Sequence, residues 1–310
     1  MNLPVFDTSN DPGPNFFGLL NHYSRSSTPT TANSLAGGGP GLATEKSSEY
    51  VHGTTVVASR YADGVVIAGD RRATAGNLIS HRDMRKVFPA DRWSGVAIAG
   101  VAGPAMEMVK MFQLQLEHYE KVEGHGLSID GKANQLSQML RVNLPAALQG
   151  MVVVPLFAGF DRRRGYGRLY AYDVTGGRYE EEDFVASGSG SLFARTVIKM
   201  GRKEGMSADE AVDLMISALF AAADEDAATG GPDSMRGIYP IIATIDASGY
   251  SELPETDVAE RFERVLADFR ARQPGGALAA PDGAENGPND TSDKGPDHSS
   301  GNGSDEGGAA

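Results

Sequence analysis

The chain is predicted to fold as an α+β domain in which two antiparallel sheets stack between layers of helices. Three observations predict it. Strand-like segments open the ordered part with a hairpin signal at Tyr61-Ala62-Asp63-Gly64. Helical patterns come in adjacent pairs, not one after each strand, which disfavours a doubly wound parallel sheet. A shift in composition at each end isolates one block, residues 54–272, the size of a single large domain. No internal repeat is visible.

The elements follow in order. Thr54–Arg60 and Gly64–Gly69 are rich in β-branched residues and read as paired strands. Trp93–Ala99 reads as a third, ending at Gly100. Pro104 opens a helix to about Glu123, with Met108, Met111, Phe112 and Leu116 at helical spacing. Leu127–Gly150 is its partner, with Pro145 expected to kink or end it. Val152–Phe160, Arg168–Asp173 and Tyr179–Ala186 read as three more strands. Helices over 191–203 and 207–224 form the second pair, the latter expected to bury Val212, Met215, Ile216, Leu219 and Phe220. Tyr239–Ile245 pairs with Tyr250–Leu253, and Glu255–Arg272 closes the domain as an amphipathic helix.

The ends differ from this block. Residues 1–53 are rich in Ser, Thr, Gly, Pro and Asn, and 271–310 hold nine glycines and seven acids against two bases, −5 of the chain's −13. Such segments bury too little apolar surface to offset the entropy of ordering, so both are expected to be disordered. The chain has no cysteine, which excludes disulfides and thiolate metal sites. The longest apolar run, Met151 to Phe160, falls short of the ~20 residues that span a bilayer. No secretory signal is apparent, so a cytoplasmic protein is expected. A net charge of −13 argues against nucleic acid as a partner. The six histidines show neither zinc nor Ser-His-Asp spacing. No cofactor is called for.

The chemistry concentrates where the leader ends, at Gly53-Thr54-Thr55. A threonine hydroxyl needs a base beside it, and its own α-amine, once freed, can be that base. The pair alone reads as an ordinary strand start. Gly53, which lets the chain bend back toward its own carbonyl, and the leader that stops there shift the reading to self-cleavage between Gly53 and Thr54. Asp70 follows the apolar strand Val65–Gly69, and Lys86 lies sixteen residues on. A surface ion pair is the ordinary reading. Next to a threonine hydroxyl, the same pair would orient the nucleophile and lower its pKa. Gly100, between a strand and a helix start, is either a turn glycine or a backbone N–H free for an oxyanion. Ser187-Gly188-Ser189-Gly190-Ser191 is an N-cap or an anion cradle, without the Lys-Ser/Thr ending of a nucleotide loop. Asp226-Ala-Ala-Thr-Gly-Gly231 reads as a helix stop.

Thr-Thr-Val-Val at 54–57, Ala-Gly-Asp-Arg-Arg at 68–72, Arg-Asp-x-Arg-Lys-Val at 82–87, Leu-Glu-His-Tyr-Glu-Lys at 116–121, Gly-Ser-Gly-Ser-Leu-Phe-Ala at 188–194 and Ala-Thr-Gly-Gly-Pro-Asp at 228–233 occur in this order. Together they resemble the β-subunit family of the 20S proteasome, actinobacterial type, among the N-terminal nucleophile hydrolases. The resemblance covers roughly 50–272. It implies a four-layer αββα sandwich and peptide hydrolysis by an N-terminal threonine endopeptidase through an acyl-enzyme ester. Carried over by position, Thr54 is the nucleophile and Asp70 and Lys86 complete a triad. Ser189, Asp226 and Thr229 bond the threonine hydroxyl and amine, and Gly100 N–H donates to the oxyanion. Many relatives carry serine where Thr229 stands. Thr74 and Ala102 pair with substrate backbone, and Ala73, Met84, Ile98 and Ala102 line the pocket before the cut. The implied partners are α subunits in an α7β7β7α7 28-mer with heptameric rings and a ring-shaped AAA ATPase on the α ring. Its substrates would be unfolded proteins tagged with a prokaryotic ubiquitin-like protein. Two other readings are the shorter two-component bacterial peptidase that also begins Thr-Thr, and a non-catalytic ring subunit, against which Thr54, Asp70 and Lys86 all speak.

Overall fold

A computed structural model describes residues 53–272; the expected acidic tail, and the expected leader apart from its last residue Gly53, lie outside the described residues. The first sheet has the order β10-β1-β2-β11-β12 and the second β5-β6-β7-β8-β9, every neighbouring pair antiparallel. The first comprises β1 (Thr55–Tyr61), β2 (Gly64–Gly69), β10 (Phe184–Gly188), β11 (Ile241–Asp246) and β12 (Gly249–Glu252). The second comprises β5 (Val87–Asp91), β6 (Ser94–Gly100), β7 (Val153–Asp161), β8 (Tyr166–Tyr172) and β9 (Arg178–Glu181). Helices α1 (Ala102–Glu123) and α2 (Ile129–Ala147) cover the second sheet. Helices α3 (Ser191–Gly201), α4 (Ala208–Glu225) and α5 (Glu255–Arg272) cover the first.

Strand alternation explains the layering. Val57, Val66, Ala68 and Ile242 face α3 and α4, while Val56, Ala58, Val65, Ile67 and Ala243 face the other sheet. In the second sheet Val96, Phe157 and Tyr170 face α1 and α2, and Ala97, Leu156, Ala158 and Leu169 face inward. Strands buried on both faces read as continuous apolar runs, which is why their sequence pattern shows little period-2 signal. At one end the two sheets almost touch. A Cβ on Gly167 of β8 would lie 2.7 Å from the backbone of Gly64 in β2, so only glycine fits there.

Helix boundaries follow capping chemistry. Ser128 accepts from Gly131 N–H at the start of α2, and Ser207 with Glu210 forms a capping box on α4. Gly124 stops α1 in the left-handed region at φ 73°. Pro104 sits in the first turn of α1, where its missing N–H costs no helical bond.

The structure departs from the sequence expectation in three places. Residues 73–91 contain three strands that were not expected: a two-stranded hairpin of β3 (Ala73–Ala75) and β4 (Leu78–His81), then β5. Tyr179–Ala186 is two strands, not one, because the chain leaves the second sheet after β9 and joins β1 as β10. Helix α2 stops at Ala147, two residues past Pro145 and short of the expected Gly150, so the proline falls in its last turn.

Phe157 is fully buried and meets Phe112 edge-on, with ring centroids 6.0 Å apart. Phe157→Ala is expected to lower unfolding stability by about 3–5 kcal/mol, read as a shift in urea midpoint at constant m.

Candidate active site

The site lies at the end of the sandwich opposite the Gly64–Gly167 contact. Thr54 precedes β1, Asp70 follows β2, Lys86 precedes β5, Gly100 ends β6 and Ser189 follows β10. Antiparallel order brings all five to one edge, with Asp70 from the first sheet and Lys86 from the second.

Asp70 and Lys86 form a buried ion pair at 2.7 Å, with side chains 0 % and 2 % exposed. Such a pair stands only if its remaining valences are satisfied. Asp70 Oδ1 also accepts Thr55 N–H at 2.8 Å, and Oδ2 accepts Arg72 N–H at 2.9 Å and Gly230 N–H at 2.8 Å. Lys86 Nζ donates to Arg72 O at 2.6 Å and to Gly53 O at 3.3 Å. Burial lowers the Lys86 pKa from its ordinary value, and the Asp70 charge opposes that shift.

Thr54 is itself buried, and its hydroxyl donates to the Gly53 carbonyl at 2.8 Å. Its amide N–H meets Ser189 Oγ at 3.3 Å, and its carbonyl accepts Ser189 N–H at 2.8 Å. Gly188 makes this approach feasible: its φ is 100°, and a Cβ there would stand 1.8 Å from Thr54 O. Asp226, the C-cap of α4, accepts Ser189 Oγ at 2.5 Å and Thr229 Oγ1 at 2.6 Å on one oxygen, and Ala228 N–H at 3.1 Å on the other. Burial pushes this carboxyl up, but the hydrogen bonds from Ser189, Thr229 and Ala228 together with the Lys86 charge outweigh it and hold it below the usual range.

The remaining candidates fall as follows. Thr229 is buried and its hydroxyl reaches Thr55 Oγ1 at 2.6 Å, so it meets Thr54 only through Asp226 and Ser189. Gly100 has φ 114°, and a Cβ there would lie 2.2 Å from Val152 O. Ile98 N–H donates to Lys86 O at 3.0 Å, so Gly100 N–H, two residues on, points to the same side, past the start of β5. Thr74 Oγ1 accepts Gly53 N–H at 3.0 Å. Ala73 opens β3, Ala102 opens α1 and both Ala73 and Ile98 are buried, Ile98 within the cluster beneath α1. Met84 is half-buried and its N–H donates to Arg71 O at 2.8 Å. Arg71 in turn pairs with Asp83 and with Glu255 at the start of α5.

Sequence reasoning missed the backbone partners: the Arg72 carbonyl and the Gly190 and Gly230 N–H groups. Their signal was the glycines themselves, since a Cβ on Gly230 would lie 2.9 Å from Arg72 N. Among the described residues, no group of three or more His, Asp or Glu is placed to hold a metal ion, and no helix is long and apolar enough to cross a membrane.

Two antiparallel sheets between helix layers, with a threonine at the edge where the sheets part, define the N-terminal nucleophile hydrolase fold. The family model for proteasome subunits matches residues 50–236. The chain is 54 % identical over 274 residues to a proteasome subunit beta of Acidimicrobium ferrooxidans, covering 87 % of this chain and 97 % of that protein. It is 54 % identical over 232 residues to that of Streptomyces griseus, covering 75 % of this chain and 82 % of that one. With Jonesia denitrificans the identity is 56 % over 214 residues, 69 % and 71 % of the two chains. The chain belongs to the proteasome subunit family, on its catalytic β-subunit branch.

Gly188→Ala tests the site geometry. The new Cβ would force Thr54 away from Ser189, so peptide hydrolysis should fall roughly 100-fold, the scale of an ångström misplacement. A fluorogenic peptide assay measures it.

Proposed function

We propose that this subunit is an N-terminal threonine endopeptidase that matures by cutting its own chain between Gly53 and Thr54. The observation that carries the reading is convergence on one atom: the Thr54 hydroxyl at 2.8 Å and the Lys86 ammonium at 3.3 Å both reach the Gly53 carbonyl oxygen. Attack of Thr54 Oγ on the Gly53 carbonyl carbon builds negative charge on that oxygen, where Lys86 compensates it. The hydroxyl proton passes to the Thr54 nitrogen as the C–N bond breaks, leaving an ester on Oγ. That cleavage frees the α-amine; water then hydrolyses the ester, restoring the Thr54 hydroxyl and releasing the leader with Gly53 as its C-terminal carboxylate.

In the mature enzyme that amine, with an ordinary pKa of ~7.7–8.0, takes the proton from Thr54 Oγ and passes it to the leaving amine. Asp70 fixes Lys86, and Ser189, Asp226 and Thr229 fix the amine. Gly100 N–H, beyond the start of β5, serves the substrate oxyanion. Gly53 N–H on Thr74 supports Thr74 as the residue that pairs with substrate backbone, because Gly53 stands where the residue before the cut must lie. Ala102 pairs with substrate from α1. Ala73, Met84, Ile98 and Ala102 form an apolar pocket that favours Tyr, Phe or Leu before the cut, since a charged side chain would lose its hydration there. Assembly follows the family: heptameric β rings stacked between α rings in an α7β7β7α7 particle, with isologous contacts between β rings and heterologous ones within a ring. A ring-shaped AAA ATPase feeds unfolded, tagged proteins through the α ring.

Thr54→Ala should abolish conversion and peptidase activity while leaving the melting temperature nearly unchanged. Lys86→Ala should abolish both and also cost about 3–5 kcal/mol, because it leaves Asp70 buried without a counter-charge. N-terminal sequencing of the particle assembled with an α subunit should read Thr-Thr-Val-Val; a start at Met1 or Thr55 overturns the maturation scheme. In a peptide panel varied only before the cut, cleavage after Tyr or Leu should outpace cleavage after Arg or Glu.

A further inference from the structure

Thr55, the residue after the nucleophile, is fully buried, yet its hydroxyl does more than start a strand. Gly190 N–H donates to Thr55 Oγ1 at 3.0 Å, and Thr229 Oγ1 lies 2.6 Å from the same atom. A Cβ on Gly190 would stand 2.5 Å from Thr55 Oγ1 and 2.8 Å from Thr229 Oγ1, so the two hydroxyls and the bare backbone fill this space together. On its other side Thr55 donates its own N–H to Asp70 Oδ1 at 2.8 Å. One residue therefore touches both carboxylate clusters of the site.

The direction of every proton in this chain can be worked out. An ionised carboxylate only accepts, so Ser189 and Thr229 each spend their single O–H on Asp226 Oδ2. Thr229 then offers Thr55 nothing but lone pairs. Thr55 must therefore donate its O–H to Thr229, while the Gly190 backbone N–H, a donor that cannot reverse, takes one of the Thr55 lone pairs. By the same count Ser189 has only lone pairs left for the nitrogen of Thr54.

We propose that Thr55 is a positioning residue for the proteolytic reaction. Its hydroxyl passes the orientation set by Gly190 through Thr229 and Asp226 to Ser189. Ser189 then holds the Thr54 nitrogen as a hydrogen-bond donor, leaving that nitrogen's lone pair for the Thr54 hydroxyl. Without the Thr55 hydroxyl, Thr229 is no longer held from behind, and its O–H is free to turn from Asp226. Binding of substrate does not pass through this chain, so the loss should fall on turnover. The inference rests on Thr54 acting as the nucleophile.

The test compares Thr55→Ala with Thr55→Ser in the full chain assembled with an α subunit. Both lose the methyl group and only the first loses the hydroxyl. Intact mass counts the subunits with a free Thr54, and kcat is expressed per such subunit. For T55A, kcat should fall about tenfold with KM within about twofold, and T55S should recover to within about threefold of the unchanged chain, the scale of one hydrogen bond. Arrest of precursor conversion in T55A but not in T55S also supports the proposal. Equal kcat in T55A and the unchanged chain overturns it, as does T55S as slow as T55A, which would mark a packing effect. If T55A does not assemble, Thr55→Val, which keeps the branched shape, carries the same expectation. Thr54→Ala runs alongside: activity in T54A overturns the nucleophile reading, whereas an inactive T54A beside a fully active T55A overturns only the role of Thr55.

Discussion

The buried pair between Asp70 and Lys86 is the interaction on which the rest of the site depends. Withdrawing two charges from water costs several kcal/mol each, and Coulomb attraction offsets that only with good geometry and full hydrogen bonding. Here each remaining valence is met by the backbone: three N–H groups on Asp70 and two carbonyls on Lys86. Those backbone groups come from β1, from the segment after β2 and from the loop after α4. The pair thus fixes, in one place, the start of β1, the Arg72 turn and the Gly230 loop. Its cation is left with one donor aimed at the carbonyl that precedes Thr54.

A second polar cluster faces it across Thr54. Ser189, held by Asp226, which also holds Thr229, engages the nitrogen of the Gly53–Thr54 peptide bond, while Lys86 engages its carbonyl oxygen. The two clusters differ in exposure. Asp70 and Lys86 are sealed, whereas Ser189 is exposed and Asp226 half-buried. This division suits the chemistry, because charge stabilisation gains from a low dielectric and proton exchange gains from water.

Much of this was legible in the residues. The paired helices dictated stacked antiparallel sheets, Gly53-Thr54 stood out where the leader meets the first strand, Asp70 where an apolar strand ends, and Lys86 as the cation sixteen residues on that the resemblance pairs with it. What was not legible has physical causes. Strand β4 is exposed along its whole length and β3 has three residues, so neither shows a hydrophobic pattern. Strand β5 contains Pro89, which argues against a strand until its place at the sheet edge is known. The switch of sheets between β9 and β10 occurs at exposed Glu182 and Asp183, where only tertiary pairing decides which sheet each strand joins. The backbone donors and acceptors of the site leave no residue-type signature beyond the glycines at 190 and 230, which a sequence shows as ordinary turn residues.

The near-contact of Gly64 and Gly167 has a mechanical meaning. The chain passes between the two sheets at two places among the described residues: at Glu182–Asp183, and along the segment from Asp70 to Lys86. The first crossing lies near the glycine contact, since Arg60 N–H bonds Asp183 O there. The sandwich is therefore built like a book, its spine closed by glycines pressed backbone to backbone and its fore-edge clasped by ion pairs, Asp70–Lys86 buried and Arg85–Glu252 outside it. Loosening of such a body should start at the fore-edge, where the candidate catalytic groups are. Peptidase activity should accordingly vanish early in any gradual denaturation, while the spine and most of the helical content are still intact.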